Sequence, residues 1–369
     1  MAQQPTKIES LLGLMGTEYE ELLSKNGMEL VKKLGAETIK TMVFDVLSGE
    51  NLRNSTETLT RRRLAVLNAA TVAMFLKGTE KYPNFIQDLP QIAERILKQQ
   101  KLSKAEKWVT QWALGLTGKA RQNVLRDDAT LLTAYRKRYV ATCEQVIQES
   151  IQSFGPLNGE LKLGDRIITE LSWKFMVYLL ATVGAQTLTI RGSDKSIHGK
   201  LFEPLILGTL LSILGFKYIP ATDNRDYNKQ TFWLSSSTGD QRESDATALI
   251  RAGQGVRFDI GFIGRGNTEI SLDKVTRFAR ESEINDSKWF MATIIIVDRI
   301  GKDSQIQEIA QEVGGDIVQM SMGYWPQEVA QILHRRVEFE HPLVTMPHSE
   351  IREYLQKSIS SIELLDFLS

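Results

Sequence analysis

Apolar residues recur at helical spacing through the first part of the chain, and this limits its fold more than any other feature. Between Gly27 and Leu47 they repeat every three or four residues, which predicts a helix with a wide apolar stripe. Further helices are predicted over Ser55–Phe75, Leu89–Lys98, Lys104–Leu116 and Asp128–Gln152. We therefore expect residues 1–155 to form an all-helical N-terminal domain.

The pattern changes in Phe154–Gly164, where the spacing of glycines predicts a loop and a domain boundary. Helices are predicted beyond it over Ser172–Val183, Leu201–Leu214, Leu272–Glu283, Ser304–Val313 and Pro326–Arg336. Extended segments are predicted over Phe216–Ile219, Thr231–Ser235, Val256–Ile263, Thr268–Ser271 and Trp289–Val297. This alternation predicts an α/β domain over residues 156–369, with helices flanking a mixed sheet.

Composition excludes several classes of protein. A single cysteine, Cys143, excludes an intramolecular disulfide, and with four scattered histidines it disfavours a zinc site. No stretch of about 18 residues is apolar and free of charge, and the first ten residues do not resemble a signal peptide. We expect an intracellular, cytoplasmic protein with no membrane span. Its 45 basic and 45 acidic side chains cancel, so binding to a polyanion would depend on local basic surfaces.

Two acidic residues occupy segments that the pattern predicts to be adjacent strands. Val256–Ile263 alternates and is rich in β-forming residues, and a short glycine-rich link joins it to Thr268–Ser271. If the link is a three-residue loop, then Asp259, Glu269 and Ser271 project from one face of a hairpin. A two-residue turn would reverse that parity and separate the two acids.

Two carboxylates on one face repel each other unless a cation lies between them. Because oxygen is the ligand that Mg²⁺ prefers, Asp259 and Glu269 are candidate magnesium ligands. The alternative, that Asp259 caps a turn and Glu269 is a solvated strand residue, remains open on spacing alone. A nucleotide-binding glycine loop is disfavoured because a strand-like segment, not a helix, follows these glycines.

The segments RESDATALI and GVRFDIGFIGRGNTEISLDKVTRF resemble type II restriction endonucleases of the CfrBI type, within the PD-(D/E)XK superfamily. The resemblance extends over about Ser193 to Asp298. It implies a restriction-endonuclease-like fold and Mg²⁺-dependent hydrolysis of double-stranded DNA. It also implies roles for three acids, since Glu203 matches the helix acid, Asp259 the strand aspartate and Glu269 the glutamate of the last motif.

The chain departs from this family pattern at two positions. Phe258 replaces the proline before Asp259, and Ser271 replaces the lysine that follows the glutamate. A serine hydroxyl carries no charge, so either Lys274 takes the place of that lysine or the metal alone activates the water. Because Glu203 precedes Pro204, we expect Glu203 at the start of a helix or at a kink.

A second acidic cluster, Glu243 and Asp245, is expected on the strand beside Asp259. Asp245 would add a metal ligand or orient one. The alternative is that these acids pair with Arg242 or Arg257.

DNA contacts are expected from polar and basic side chains near this site. Thr222–Gln230 is rich in side chains that read bases and is a candidate recognition loop. Our candidates are Asn224, Arg225, Lys229, Arg242, Arg257 and Arg265. Basic clusters on predicted helices, at Arg61–Arg63 and Arg136–Arg138, are candidates for phosphate contacts, although each is also typical of a solvated helix face.

The sequence therefore favours a homodimeric type II restriction endonuclease, in which each subunit cuts one strand of a palindromic site. A cognate DNA methyltransferase is expected in the same system. Two alternatives remain: a structure-directed DNA repair nuclease, and a catalytically inactive DNA-binding protein on the same fold. The serine at position 271 is the feature that keeps the inactive alternative open.

Overall fold

A computed structural model describes residues 8–24, 31, 35–99, 101–122, 126, 128–163, 166–220, 229–235, 244–262, 290–298 and 315–368. The chain divides into two compact units. The first comprises Met1–Lys25 and Leu59–Lys195, and the second comprises Asn26–Thr58 and Ser196–Ser369. The division predicted at residue 155 falls inside the first unit.

Helices make up most of the first half of the chain, as predicted. They are α1 (Leu11–Met15), α2 (Glu20–Ser24), α3 (Ala36–Leu47), α4 (Leu52–Lys81), α5 (Phe85–Leu97), α6 (Lys104–Trp112) and α7 (Ala129–Phe154), with a short turn at Gly118–Ala120. Side chains cap the starts of several of these helices. Ser103 and Glu106 form a capping box on α6, and the Asp128 carboxylate accepts a hydrogen bond from Thr130 N on α7.

The core of the first unit is built from the apolar faces of these helices. Phe75 and Phe85 are fully buried, and their rings meet edge to face at 6.1 Å. Burial of Phe85 and Leu89 also explains a difference from the sequence-based prediction. Helix α5 begins at Phe85 and contains Pro90, because the apolar face outweighs the loss of one backbone hydrogen bond.

The predicted loop after α7 is confirmed over residues 155–158, but its extension to Gly164 is wrong. Residues Gly159–Leu163 and Arg166–Leu171 form two antiparallel strands, β1 and β2, which make a sheet of their own. The glycines that predicted a loop lie at the ends of this hairpin: Gly155 ends α7 with φ 81°, and Gly159 opens β1. The glycines therefore indicated where regular structure ends, but they did not predict the strands between them.

The two helices predicted over Ser172–Val183 and Leu201–Leu214 belong to one 41-residue helix, α8 (Trp173–Ile213). Glu203 lies within this helix, so its expected position at a helix start is wrong. Pro204 removes one backbone donor inside the helix. The residues after it, including Leu205 and Leu211, are completely buried, and their burial offsets that loss.

A six-stranded mixed sheet forms the second unit, in agreement with the predicted α/β class. Its strands are β3 (Lys217–Tyr218), β4 (Lys229–Leu234), β5 (Ala246–Arg251), β6 (Gln254–Gly261), β7 (Phe290–Val297) and β8 (Gly315–Gln319), in that order across the sheet. Neighbours β4, β5 and β6 run antiparallel, whereas β6, β7 and β8 run parallel. Phe258 and Ile294, paired on neighbouring strands, are fully buried in the core.

Two helices follow the sheet, α9 (Trp325–Val337) and α10 (His348–Ser360). The sequence predicts the first, with Pro326 in its first turn, but not the second. Trp325 is fully buried, and its indole N–H donates to the carbonyl of Val46 at 2.9 Å. In the described part of the chain, no helix combines the length and apolar character needed to cross a membrane.

Candidate functional site

Asp259 lies on the central strand β6 and is only 6% exposed. Its parallel partner is Ile295 of β7, and β5 occupies the opposite edge of β6. The predicted hairpin, with Ser271 opposite Asp259, is therefore wrong. Alternation along Val256–Ile263 identified the strand correctly, but period-two alternation does not identify which segment pairs with it.

The hairpin that contains Asp259 is formed by β5 and β6. Its turn uses Gly253 with φ 79°, a left-handed conformation that favours glycine. Next to the turn Arg251 pairs with Gln254, but beyond it Leu249 pairs with Gly255, so the register shifts by one residue at Ile250. This shift is a β-bulge.

The bulge sets which side chains share a face. Beyond it Ala246 pairs with Phe258, the last pair of this ladder, and Asp245 directly precedes β5; the same register continued by one residue would bring Asp245 opposite Asp259. Without the extra residue, Asp259 would lie opposite Ala246 and the two acids would point to opposite faces of the sheet. The bulge therefore brings the acids of this hairpin together.

Asp245 is half-buried and fixed by the backbone around it. Its Oδ2 accepts a hydrogen bond from Ile260 N at 2.8 Å, and its carbonyl accepts one from Ser235 N at 3.1 Å. Asp245 was predicted to lie on the strand beside Asp259, and it directly precedes that strand, β5. A carboxylate held in this way can serve as a ligand or orient a neighbouring one.

The chemistry of this pair fits a hard divalent cation. Asp245 and Asp259 offer oxygen donors from adjacent strands, next to the fully buried Ile295. Among the described residues, no three His, Cys, Asp or Glu side chains gather into a metal-binding group. Mg²⁺ needs no such group, because one or two carboxylates with water and phosphate oxygens complete its coordination.

A third acid, Asp298, follows β7 directly at the carboxyl ends of the parallel strands. Its backbone N–H donates to the carbonyl of Gly261 at 3.3 Å, and its Oδ2 accepts from Asn51 Nδ2 at 2.7 Å. Asn51 Oδ1 in turn accepts from Arg53 N at 2.8 Å, at the start of α4. Asp298 is not among the predicted site residues, although an acid directly after an apolar, β-forming run is a signal that the sequence contains.

Other predicted site residues have different placements. Glu203 is half-buried in α8, Lys229 is exposed at the start of β4, and Arg257 lies two residues before Asp259, on the same side of β6. Eight predicted residues fall outside the described residues: Glu269, Ser271, Lys274, Asn224, Arg225, Arg242, Glu243 and Arg265.

The predicted basic clusters include two arginines that pair with acids. Arg63 is buried and forms an ion pair with Asp194, which also accepts a hydrogen bond from Thr60. The prediction of a surface phosphate contact at Arg63 is therefore wrong. Arg136 of α7 donates to Glu94 of α5, but its side chain is still 22% exposed.

Comparison with known proteins identifies the family. A model of the CfrBI restriction endonuclease family matches residues 36–305. The chain is also 36% identical, over 349 residues, to the type II restriction enzyme CfrBI of Citrobacter freundii, and the alignment covers 94% of each chain. No solved structure matches the chain. This chain belongs to the CfrBI restriction endonuclease family.

Proposed function

We propose that the protein hydrolyses double-stranded DNA at a specific sequence, with Mg²⁺ held by Asp259 and Glu269. Membership of the family makes the protein a type II restriction endonuclease. The observation that supports this assignment of the metal is the buried Asp259 with the Asp245 carboxylate bound to the N–H of the next residue, Ile260. Carboxylates arranged in this way favour a cation between them.

The protein side chains position the reacting groups. The Ile260 N–H holds Asp245, so that this acid either completes the ligand set or orients Asp259. When bound, Mg²⁺ polarises the scissile phosphate and lowers the pKa of a water molecule. Glu203 is proposed as a further ligand, and Lys274 as the cation that replaces the family lysine at Ser271. These roles follow from the family pattern, which also supports a PD-(D/E)XK fold for the second domain.

DNA is proposed to contact polar side chains around the sheet. Arg257, on the same side of β6 as Asp259, is the best placed of the described candidates. Lys229, exposed at the start of β4, would bind a phosphate or a base edge. The remaining candidates are Asn224, Arg225, Arg242 and Arg265. The enzyme is proposed to act in the cytoplasm beside a cognate methyltransferase that protects host DNA.

A homodimer is proposed because cutting both strands of a palindrome needs two active sites. Helix α8 offers an apolar surface for a second copy: Leu180 and Leu188 are 58% and 68% exposed, and they lie on one face two turns apart. Between them Gly184 has no atom near its Cβ position, so another helix can approach closely. The helical region before residue 156 is proposed to serve dimerisation or DNA contacts.

Digestion of a plasmid of known sequence tests the proposed reaction. We expect discrete fragments with Mg²⁺ and none with EDTA, and the mapped ends give the recognition site. Preference for flaps or junctions over a fixed sequence would indicate a repair nuclease. Absence of turnover with both Mg²⁺ and Mn²⁺ would contradict the proposal and favour an inactive DNA-binding protein.

A further inference from the structure

The first unit contains a cleft that the proposed reaction does not use. It has a volume of about 310 Å³ and is lined by residues of α5 and by Arg136 of α7. Three basic side chains, Arg95, Lys98 and Arg136, and two acidic ones, Asp88 and Glu94, line it, which gives a net charge of +1. The volume is at the lower end of the range for small-molecule sites, roughly 300–1,000 Å³.

Glu94 fixes two of these cations. One carboxylate oxygen accepts hydrogen bonds from Lys98 Nζ at 2.7 Å and from the Thr133 hydroxyl at 2.5 Å, and the other accepts from Arg136 Nε at 2.7 Å. Burial alone would raise the pKa of Glu94, but these hydrogen bonds and the charge of Lys98 outweigh it and lower the pKa to about 2. Glu94 is therefore ionised at neutral pH.

The cations keep donors for a further anion. A lysine has three N–H donors and an arginine has five. Lys98 uses two of its donors on Glu94 and Thr133, whereas Arg136 uses only its Nε. Within the described residues, the two Nη groups of Arg136 make no hydrogen bond or ion pair. Both side chains reach solvent, with 40% of Lys98 and 22% of Arg136 exposed.

We propose that this cleft binds a phosphate of the DNA backbone, away from the carboxylates that cut it. The proposal rests on the assignment of DNA as the substrate. A planar guanidinium donates two parallel hydrogen bonds to phosphate oxygens, and an ammonium beside it adds charge. Glu94 holds both groups in place, so little side-chain freedom is lost when the anion binds.

Such a contact would fix the position of the duplex without reading its sequence. Backbone contacts by basic side chains determine register and orientation and give salt-dependent affinity. The neighbouring Lys137 provides a comparison, because it is exposed on the same helix and does not line the cleft. The structure therefore predicts that the cleft cations, and not the whole basic segment of α7, contribute this phosphate contact.

The test is equilibrium binding of a non-specific DNA duplex in EDTA, over a range of NaCl concentrations. Arg136→Gln and Lys98→Gln should each weaken binding about tenfold and reduce the slope of log K against log salt by roughly 0.9. Lys137→Gln, which removes the same charge beside the cleft, should leave the slope nearly unchanged. Thermal unfolding of each variant checks that the fold is intact.

Several results would overturn the proposal. Equal losses from Arg136→Gln and Lys137→Gln would indicate a general basic surface and no built site. Unchanged slopes in both cleft variants would show that DNA does not reach the cleft, and inorganic phosphate binding under that condition would assign it to a free anion. If the glutamine variant unfolds, Arg136→Lys replaces it: loss of the guanidinium donors should weaken binding while the retained charge keeps the slope, and unchanged affinity would contradict the proposal. Because the assay omits metal and reads no cleavage, its outcome is independent of the magnesium assignment.

Discussion

Two buried carboxylates, one in each unit, differ in what surrounds them. Glu94 is 7% exposed and receives hydrogen bonds from Lys98, Arg136 and a hydroxyl group. Asp259 is 6% exposed, and another acid, Asp245, directly precedes the neighbouring strand β5 and accepts a hydrogen bond from Ile260 N. The first arrangement compensates a buried charge with cations from the same chain. The second places another carboxylate, fixed by the Ile260 N–H, beside the strand that contains Asp259.

This contrast predicts that Glu94 contributes mainly to the stability of the fold and Asp259 mainly to the activity. Glu94, which is paired with cations, is expected to stabilise the fold, whereas Asp259 is proposed to serve the reaction. Replacing each carboxylate by its amide keeps the shape and removes the charge. The same substitution should therefore have opposite consequences at the two places.

The largest effect is expected from Asp259→Asn. Loss of this carboxylate should reduce plasmid cleavage by about a thousandfold or more, because the proposed metal ligand is gone. DNA binding should persist, and the melting temperature should stay the same or rise. Glu363→Gln, at an exposed position, is the control. Cleavage by this variant at the wild-type rate would contradict the assignment of Asp259 to the active site.

The next largest effect is expected from Glu94→Gln, which should reduce the stability of the folded protein. The amide leaves Lys98 and Arg136 without their anion, so the free energy of unfolding should fall by about 3 kcal/mol. Urea denaturation measures this loss. Cleavage at saturating DNA, below the unfolding temperature, should stay near the wild-type rate. A variant that is equally stable but inactive would reverse the assignment of the two acids.

Lowering the pH should weaken the same interaction of Glu94 with Lys98 and Arg136. Because the pKa of Glu94 is lowered to about 2 from its usual 4.5, this carboxylate stabilises the fold above about pH 4.5. That contribution is lost as the pH falls towards 2. Its size is up to roughly 3 kcal/mol, since each pKa unit corresponds to about 1.36 kcal/mol. The difference in stability between wild type and Glu94→Gln should therefore shrink across this interval, and a constant difference would contradict it.

The smallest effect is expected from Asp245→Asn. The asparagine oxygen can still accept the hydrogen bond of Ile260 N, so the hairpin should be preserved. Cleavage should fall by roughly ten- to a hundredfold, the range typical of residues that support a metal ligand, and extra Mg²⁺ should restore part of it. A loss that no metal concentration relieves would indicate that Asp245 acts in another way.

The sequence predicted local structure better than it predicted partners. Helical spacing identified most helices, and alternation identified the strand of Asp259. Alternation did not reveal that β7 and β5 flank this strand, because pairing is decided by contacts between distant segments. The buried pairing of Arg63 with Asp194 was hidden for the same reason: 131 residues separate the two.

The site was predictable where an acid follows or precedes a β-forming run. Asp245 and Asp259 were identified in this way, and Asp298 was not, although it follows the apolar β7. The bulge at Ile250 carries no distinctive residue, so the register that joins Asp245 to Asp259 could not be predicted. The magnesium ligand Glu269 stays a prediction from the family pattern.

Because of the extra residue at Ile250, the number of residues in the two strands of this hairpin determines whether Asp245 and Asp259 lie on the same face of the sheet. Deleting or inserting one residue within either strand between the two acids would move one acid to the opposite face of the sheet. A change of two residues would leave both acids on the same face. Enzymes that keep this pair are therefore expected to vary in length here by even numbers, or to place a second bulge that restores the count.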